Sequence, residues 1–241
     1  MQTTLCFDFG NTRLKCAIFE NETLKDVVIL NDAGIETMQQ FLHEQKATHS
    51  ILSSVVNHPP EIEQLLASET TFHKLGHTSK LPFTTPVGKP ETIGADRLAL
   101  IAAAVEIHPG KHNLVIGLGS CITYNFVNKF HEFLGGSISP GLEMRFKAMN
   151  QLTAKLPLIK PHWNFPLTGY DTKTNMLSGV ILGMCKEIEG IIEEYEMRYA
   201  NFNALLTGGD MGFFVPHFKK KIFADPHLIY KGLYAINKSN S

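Results

Sequence analysis

The feature that most constrains this chain is a strand-turn-strand unit that occurs twice. Leu5 to Phe9 is apolar enough for a buried strand, the chain turns at Gly10-Asn11, and Lys15-Cys16-Ala17-Ile18-Phe19 returns before the polar Glu20-Asn21-Glu22. Roughly a hundred residues later, Leu114-Val115-Ile116 leads into Gly117-Leu118-Gly119-Ser120, and Ile122 to Val127 returns. That period is far too long for a solenoid repeat, so it implies a duplication: two like-folded halves facing each other across a cleft. The helical pattern that opens at Asp96 closes near Pro109-Gly110, so the expected halves are residues 1–110 and 111–241.

Between the repeats the periodicity is mixed. Val27 to Leu30 adds a third strand, and Gly34 to Gln45 carries Ile35, Met38, Phe41 and Leu42 at helical spacing. Ser50 to Val55 reads as a buried strand, and Pro59-Pro60 suits the first turn of a helix. Leu81 to Pro90 is an extended connection rich in Pro, Thr and Gly. In the second half, Phe133 to Gly141 holds a short strand and introduces a helix. The longest helix is expected from Thr172 to about Arg198, with an apolar stripe that is core. Asn203 to Leu206 is a buried strand ending in Thr207-Gly208-Gly209-Asp210.

The chain of 241 residues has a formal net charge of -1, and its longest basic run is Lys219-Lys220-Lys221, read as a solvated helix end. No electrostatic footprint for nucleic acid is present. No apolar stretch is long enough for a bilayer, and the N-terminus enters a strand without the basic and apolar regions of a secretory signal. Cys6, Cys16, Cys121 and Cys185 form no C-x-x-C pair, and the histidines show no zinc spacing, so a reduced cytoplasmic setting without structural zinc is expected.

The first turn has what a nucleotide phosphate needs. Gly10 lets backbone approach, Asn11 and Thr12 offer donors to anionic oxygens, Lys15 adds positive charge, and Asp8 can hold Mg²⁺ directly or through water. An ordinary hairpin with Asn in its turn also fits these residues; the second copy, with Gly119 and Ser120, weighs against it. A dinucleotide-binding reading of Gly117-Leu118-Gly119 fails because Ile122 stands where the third glycine belongs and a strand follows. Asp96 can cap the helix it opens or take a proton from a substrate hydroxyl during phosphoryl transfer. Arg97 can clamp a carboxylate or phosphate, or sit in a surface ion pair. Thr207-Gly208-Gly209 fits a backbone passing close to adenine and equally a plain strand-to-helix turn.

Taken in order, Asp8-Phe9-Gly10-Asn11-Thr12, Gly94-Ala95-Asp96-Arg97, Gly119-Ser120, Gly135 to Gly141, Gly169-Tyr170-Asp171-Thr172, Thr207-Gly208-Gly209 and Asp225-Pro226 form a series that resembles type III pantothenate kinases. These belong to the superfamily of acetate and sugar kinases, heat-shock chaperones and actin. The resemblance runs from about residue 4 to residue 236 and rests on order and spacing together.

It implies an α/β protein with a duplicated ribonuclease-H-like (actin-like ATPase) fold, two mixed β-sheet domains with flanking helices and a central cleft. It also implies ATP- and Mg²⁺-dependent phosphorylation of pantothenate, the first step towards coenzyme A. Position by position, Asp8 serves metal and phosphates, Gly10, Asn11 and Thr12 the first phosphate site, to which Lys15 adds charge by its closeness in the chain, and Gly119 with Ser120 the second. Asp96 matches the catalytic base. Gly94, Ala95, Arg97, Thr172, Gly135 and Gly136 line the pantothenate site, which a homodimer completes, so that Thr172 acts on the neighbour's site.

Four departures from the family pattern stand out: Gly117 where an Asp is usual, Asn125 for an Asp, Val87 for a pocket Tyr, and Asp171 for an Asn. Gly117 and Asn125 remove acidic ligands and so argue against activation by a monovalent cation, K⁺ or NH₄⁺, whose site is unknown. Two other readings share the fold: a non-catalytic regulator or transcriptional accessory protein, and a kinase of acetate, a sugar or another hydroxylated substrate.

Overall fold

The computed structural model describes residues 2–86 and 88–241. Its first part runs β1 (Thr3–Phe9), β2 (Leu14–Glu20), β3 (Thr23–Leu30), α1 (Ile35–Gln45), β4 (His49–Ser54), α2 (Pro60–Glu69), β5 (Thr71–Lys74) and α3 (Ala95–Ile107). The second runs β6 (His112–Leu118), β7 (Cys121–Val127), β8 (Phe133–Pro140), α4 (Leu142–Gln151), α5 (Thr172–Leu177), α6 (Gly183–Arg198), β9 (Phe202–Thr207), α7 (Met211–Phe214), β10 (Phe223–Ala224) and α8 (Leu228–Asn240).

Two five-stranded sheets result, ordered β3-β2-β1-β4-β5 and β8-β7-β6-β9-β10, so the duplication holds strand for strand. In the first, β1 pairs antiparallel with β2 and parallel with β4. In the second, β6 is parallel to β9. These are the mixed sheets of the duplicated ribonuclease-H-like fold.

Two compact units emerge. One comprises the chain up to Gly110 with Val127–Leu134 and His227–Ser241, the other Lys111–Phe126 with Gly135–Pro226. The C-terminal helix α8 packs on α3 and on β1 and β4, within the first unit.

Alternation along β1 decides what each face does. Leu5, Phe7 and Phe9 point into an apolar core with Met38 and Phe41 of α1 and Ile62 and Leu66 of α2. Burying Phe7 and Phe9 stabilises the unit by about 1.5–3 kcal/mol each. Cys6 and Asp8 take the opposite face, where α3 and α8 lie. In the second unit, Leu114, Ile116 and Leu118 of β6 and Ile122, Tyr124 and Phe126 of β7 share a core with Met184, Ile188 and Ile192 of α6.

Sequence and structure differ at a few elements. The edge strands β5 and β10 carry too few apolar residues for a strand signal; both are set by pairing with a buried neighbour, β4 and β9. The long helix is interrupted by a π turn over Ser178–Leu182, which contains Gly179 and is followed by Gly183, between α5 and α6. Lys219 to Lys221 do not end a helix. Glu189 of α6 accepts from the Lys219 N–H at 2.6 Å, and Lys220 bridges to Glu196 at 2.7 Å, so this run is tied to the acidic face of α6.

Candidate active site

In the first unit, β1 ends at Phe9 and β2 starts at Leu14, leaving a turn of Gly10-Asn11-Thr12-Arg13 closed by the Gly10 N–H donating to the Arg13 carbonyl at 3.2 Å. Asn11 and Thr12 are exposed, while Asp8 and Lys15 are half-buried and are register partners across the hairpin. Burial raises the Asp8 pKa to about 6, the Asp96 charge adds to this, and Lys15 opposes it. Asp8 and Asp96 therefore lie close enough to repel.

Asp96 stands in the first turn of α3, after Gly94 and the buried Ala95. Burial raises its pKa; the backbone N–H of Arg97, the Arg97 charge and its own N–H pull the other way. Gly94, not Asp96, is the N-cap and no side chain caps the helix; the Asp96 carboxylate takes first-turn amides and remains poorly solvated, which suits a base. A side chain at Gly94 would meet Asp96 Oδ1 at 2.5 Å, so glycine there leaves room for the carboxylate. Arg97 lies over the Phe133 ring, 5.6 Å from its centroid. Burial lowers its pKa against the pull of Asp96.

Magnesium fits this group. Asp8 is a poorly solvated hard oxygen donor with a like charge nearby. One carboxylate plus nucleotide phosphates and water is the way Mg²⁺ is commonly bound.

In the second unit the turn is shorter. Gly119-Ser120 joins β6 to β7, with the Gly119 N–H donating to Cys121 O at 3.1 Å. The Gly141 N–H donates to Ser120 O at 3.1 Å and the Asp210 N–H to Leu118 O at 3.2 Å. A Cβ at Gly141 would fall 2.2 Å from the Gly119 carbonyl, and Gly208, at φ 109°, presses against Leu118. Thr207-Gly208-Gly209 and the second turn are therefore brought together.

Gly135 and Gly136 lie on β8. Thr172 is exposed at the first position of α5, set there by a capping box between Asp171 and Thr174. Asn125 is fully buried and donates to Val115 O and Thr123 Oγ1, each at 3.2 Å, so it holds two strands rather than facing a ligand. Val87 lies outside the described residues.

Several neighbours of these candidate residues escaped the sequence reading. Ser53 is the register partner of Asp8 on β4. Tyr230 on α8 feels the Asp8 charge, which raises its phenol pKa further after burial. Asp210, raised by burial and by Glu143, puts an acid beside the second turn. Only strand register and helix docking reveal these; Asp210 alone carried a signal, directly after Thr207-Gly208-Gly209.

The family model described as type III pantothenate kinase matches residues 4–194. This chain belongs to that family. The type III pantothenate kinase of Christiangramia forsetii is 38% identical over 238 residues, 98% of each chain. As a family member, the chain is a kinase, an ATP-dependent phosphotransferase. A solved Campylobacter jejuni structure, described as a Baf family transcriptional activator, is 25% identical with TM-score 0.63 over 98% of each chain. A glucokinase from an Antarctic psychrotroph shares the kinase fold at 11% identity, TM-score 0.52 and 99% coverage of each chain. No helix among the described residues is long and apolar enough to cross a membrane.

Proposed function

We infer that this chain transfers the terminal phosphoryl group of ATP to the primary hydroxyl of pantothenate, opening coenzyme A synthesis in the cytoplasm. The observation that carries the reading is half-buried Asp8 near the end of β1, just before the turn Gly10 to Arg13, with half-buried Asp96 of α3 close enough to raise its proton affinity. Two repelling, poorly solvated carboxylates destabilise a fold unless a ligand uses them.

Asp96 takes the hydroxyl proton as transfer proceeds, and its raised proton affinity suits a base. Asp8 holds Mg²⁺, which supplies charge neutralisation for the phosphates when bound. Gly10, Asn11, Thr12 and Lys15 are the phosphate-binding residues of the first turn, and Gly119 and Ser120 those of the second. Thr207, Gly208 and Gly209 pass the base. Arg97 pairs with the pantothenate carboxylate; Gly94, Ala95, Gly135 and Gly136 line its chain.

Along the chain the duplication is taken to run over residues 1–110 and 111–241, with Val127–Leu134 and His227–Ser241 of the second half joining the first compact unit. A homodimer is supported by a set of exposed apolar side chains, Ile138, Leu158, Leu167 and Tyr170 among them. In that dimer Thr172 reaches the neighbour's pantothenate. With Gly117 uncharged and Asn125 used in the sheet, no K⁺ or NH₄⁺ requirement is expected.

The test is a coupled assay with ATP, Mg²⁺ and pantothenate, with and without potassium or ammonium. Phosphopantothenate formation, with kcat lowered about 10²–10⁴-fold in Asp96→Asn, is expected. No product from the wild-type protein would leave the regulator reading; turnover only on acetate or a sugar would leave the other kinase reading.

A further inference from the structure

Ser53 has a hydroxyl that nothing among the described residues uses. It is fully buried, and its Oγ has no hydrogen-bond partner. The other β4 serines differ: Ser50 shares a hydrogen bond with Thr70 Oγ1 at 2.6 Å, and Ser54 donates to Val56 O at 2.9 Å. A buried hydroxyl without a partner costs stability, and an apolar side chain would suit a strand interior better.

The register says what it lies beside. Ser53 pairs with Asp8 across parallel β1 and β4, and Asp8 pairs with Lys15 on its other side, so the three side chains share a sheet face. Tyr230 of α8 comes to the same face. In the second sheet the place of Ser53 is taken by Thr207, the register partner of Gly117, again a hydroxyl.

We propose that Ser53 is a positioning residue for Asp8, its hydroxyl donating to that carboxylate, directly or through one water, once the carboxylate holds magnesium-nucleotide. The inference rests on the assignment of Asp8 to the metal. Loading the site pulls the carboxylate into one orientation, and the hydroxyl then gains the partner it lacks beforehand.

Ser53→Ala, compared with wild type and Asp8→Asn, tests this. In the ligand-free protein Ser53→Ala is expected to raise Tm, because the orphaned hydroxyl is gone. Calorimetric titration with Mg²⁺ and a non-hydrolysable ATP analogue is expected to show binding weakened about tenfold. The Mg²⁺ concentration for half-maximal rate should rise, while KM for pantothenate stays unchanged. Ser53→Thr, which keeps the hydroxyl, should recover part of the loss.

Higher Tm with unchanged nucleotide binding and unchanged Mg²⁺ dependence overturns the proposal. If Asp8→Asn is inactive in that case, the Asp8 assignment survives; if Asp8→Asn is fully active, both fall. Should Ser53→Ala fail to fold, a crystal structure of the wild-type complex decides. Ser53 Oγ within ~3.2 Å of the Asp8 carboxylate, or of a water on it, supports the proposal. A greater separation overturns it.

Discussion

The two turns occupy equivalent places in equivalent sheets, yet they are held in different ways. The first, Gly10 to Arg13, closes on itself through one backbone hydrogen bond and stands over half-buried Asp8, with Asp96 repelling it and Lys15 opposing. The second, Gly119-Ser120, is braced from behind by Gly141 and by Asp210, and its neutral strand position is Gly117. The duplication supplies two turns at matching strand ends. On the function proposed above, the first is the one whose electrostatics a ligand completes, while the second is a cradle of backbone already braced by its neighbours.

Removing the charge from the first turn should therefore have the largest effect. Asp8→Asn is expected to lower kcat by at least about 10³-fold, since no second acid in the turn can replace it. Steady-state turnover at saturating Mg²⁺ and ATP measures this, and near-normal activity would sink the metal role.

The same substitution should stabilise the ligand-free protein. Burial and Asp96 raise Asp8 from 3.8 to about 6. The folded state thus binds this proton more tightly than the unfolded chain, so its contribution to stability is full below pH 3.8 and is lost as pH rises through about 6. At pH 7.5 Asp8→Asn should gain about 1–3 kcal/mol, with the gain vanishing towards pH 4. Urea denaturation at the two pH values reads the difference.

The second turn is expected to answer to packing instead. Gly141→Ala puts a Cβ 2.2 Å from the Gly119 carbonyl and 2.6 Å from that of Ser120, both backbone atoms. A loss of about 3 kcal/mol should follow, seen as a lower denaturation midpoint. An unchanged midpoint would mean that the second turn moves freely and is no preformed cradle.

Asn125→Asp restores an acid to the returning strand but removes the amide that donates to Val115 O and Thr123 Oγ1. It should cost about 1–3 kcal/mol and create no potassium dependence. Activation by potassium in this variant would show that the second half keeps a latent cation site.

These cases mark how far the sequence could be read. The hairpins and the helix at Asp96 were legible because each rests on residues adjacent in the chain, and the kinase family because its short motifs keep their order and spacing along it. Ser53 and Tyr230 were not, because β4 and α8 reach Asp8 through register and docking across distant segments. β5 escaped because an edge strand of Thr71–Lys74 owes its form to β4 rather than to any periodicity of its own. Glycine was legible as a residue but its purpose was not: Gly10 and Gly119 of the turns have room for a Cβ, whereas Gly136, Gly141, Gly208 and Gly232 are held against neighbouring backbone.

Gly10→Ala sharpens that last point and should have the smallest effect on the fold. An added Cβ meets only Arg13 O, at 3.5 Å, an ordinary contact, and at Gly119 the nearest atom is Cys121 O at 3.8 Å. Stability should change by less than about 0.5 kcal/mol, since the methyl fits the folded turn. If Gly10 is glycine for the ligand's sake, the methyl should instead raise KM for ATP several-fold while leaving KM for pantothenate alone. A stable variant with unaltered KM for ATP would remove Gly10 from the phosphate site and leave Asp8 and Lys15 to carry the first turn.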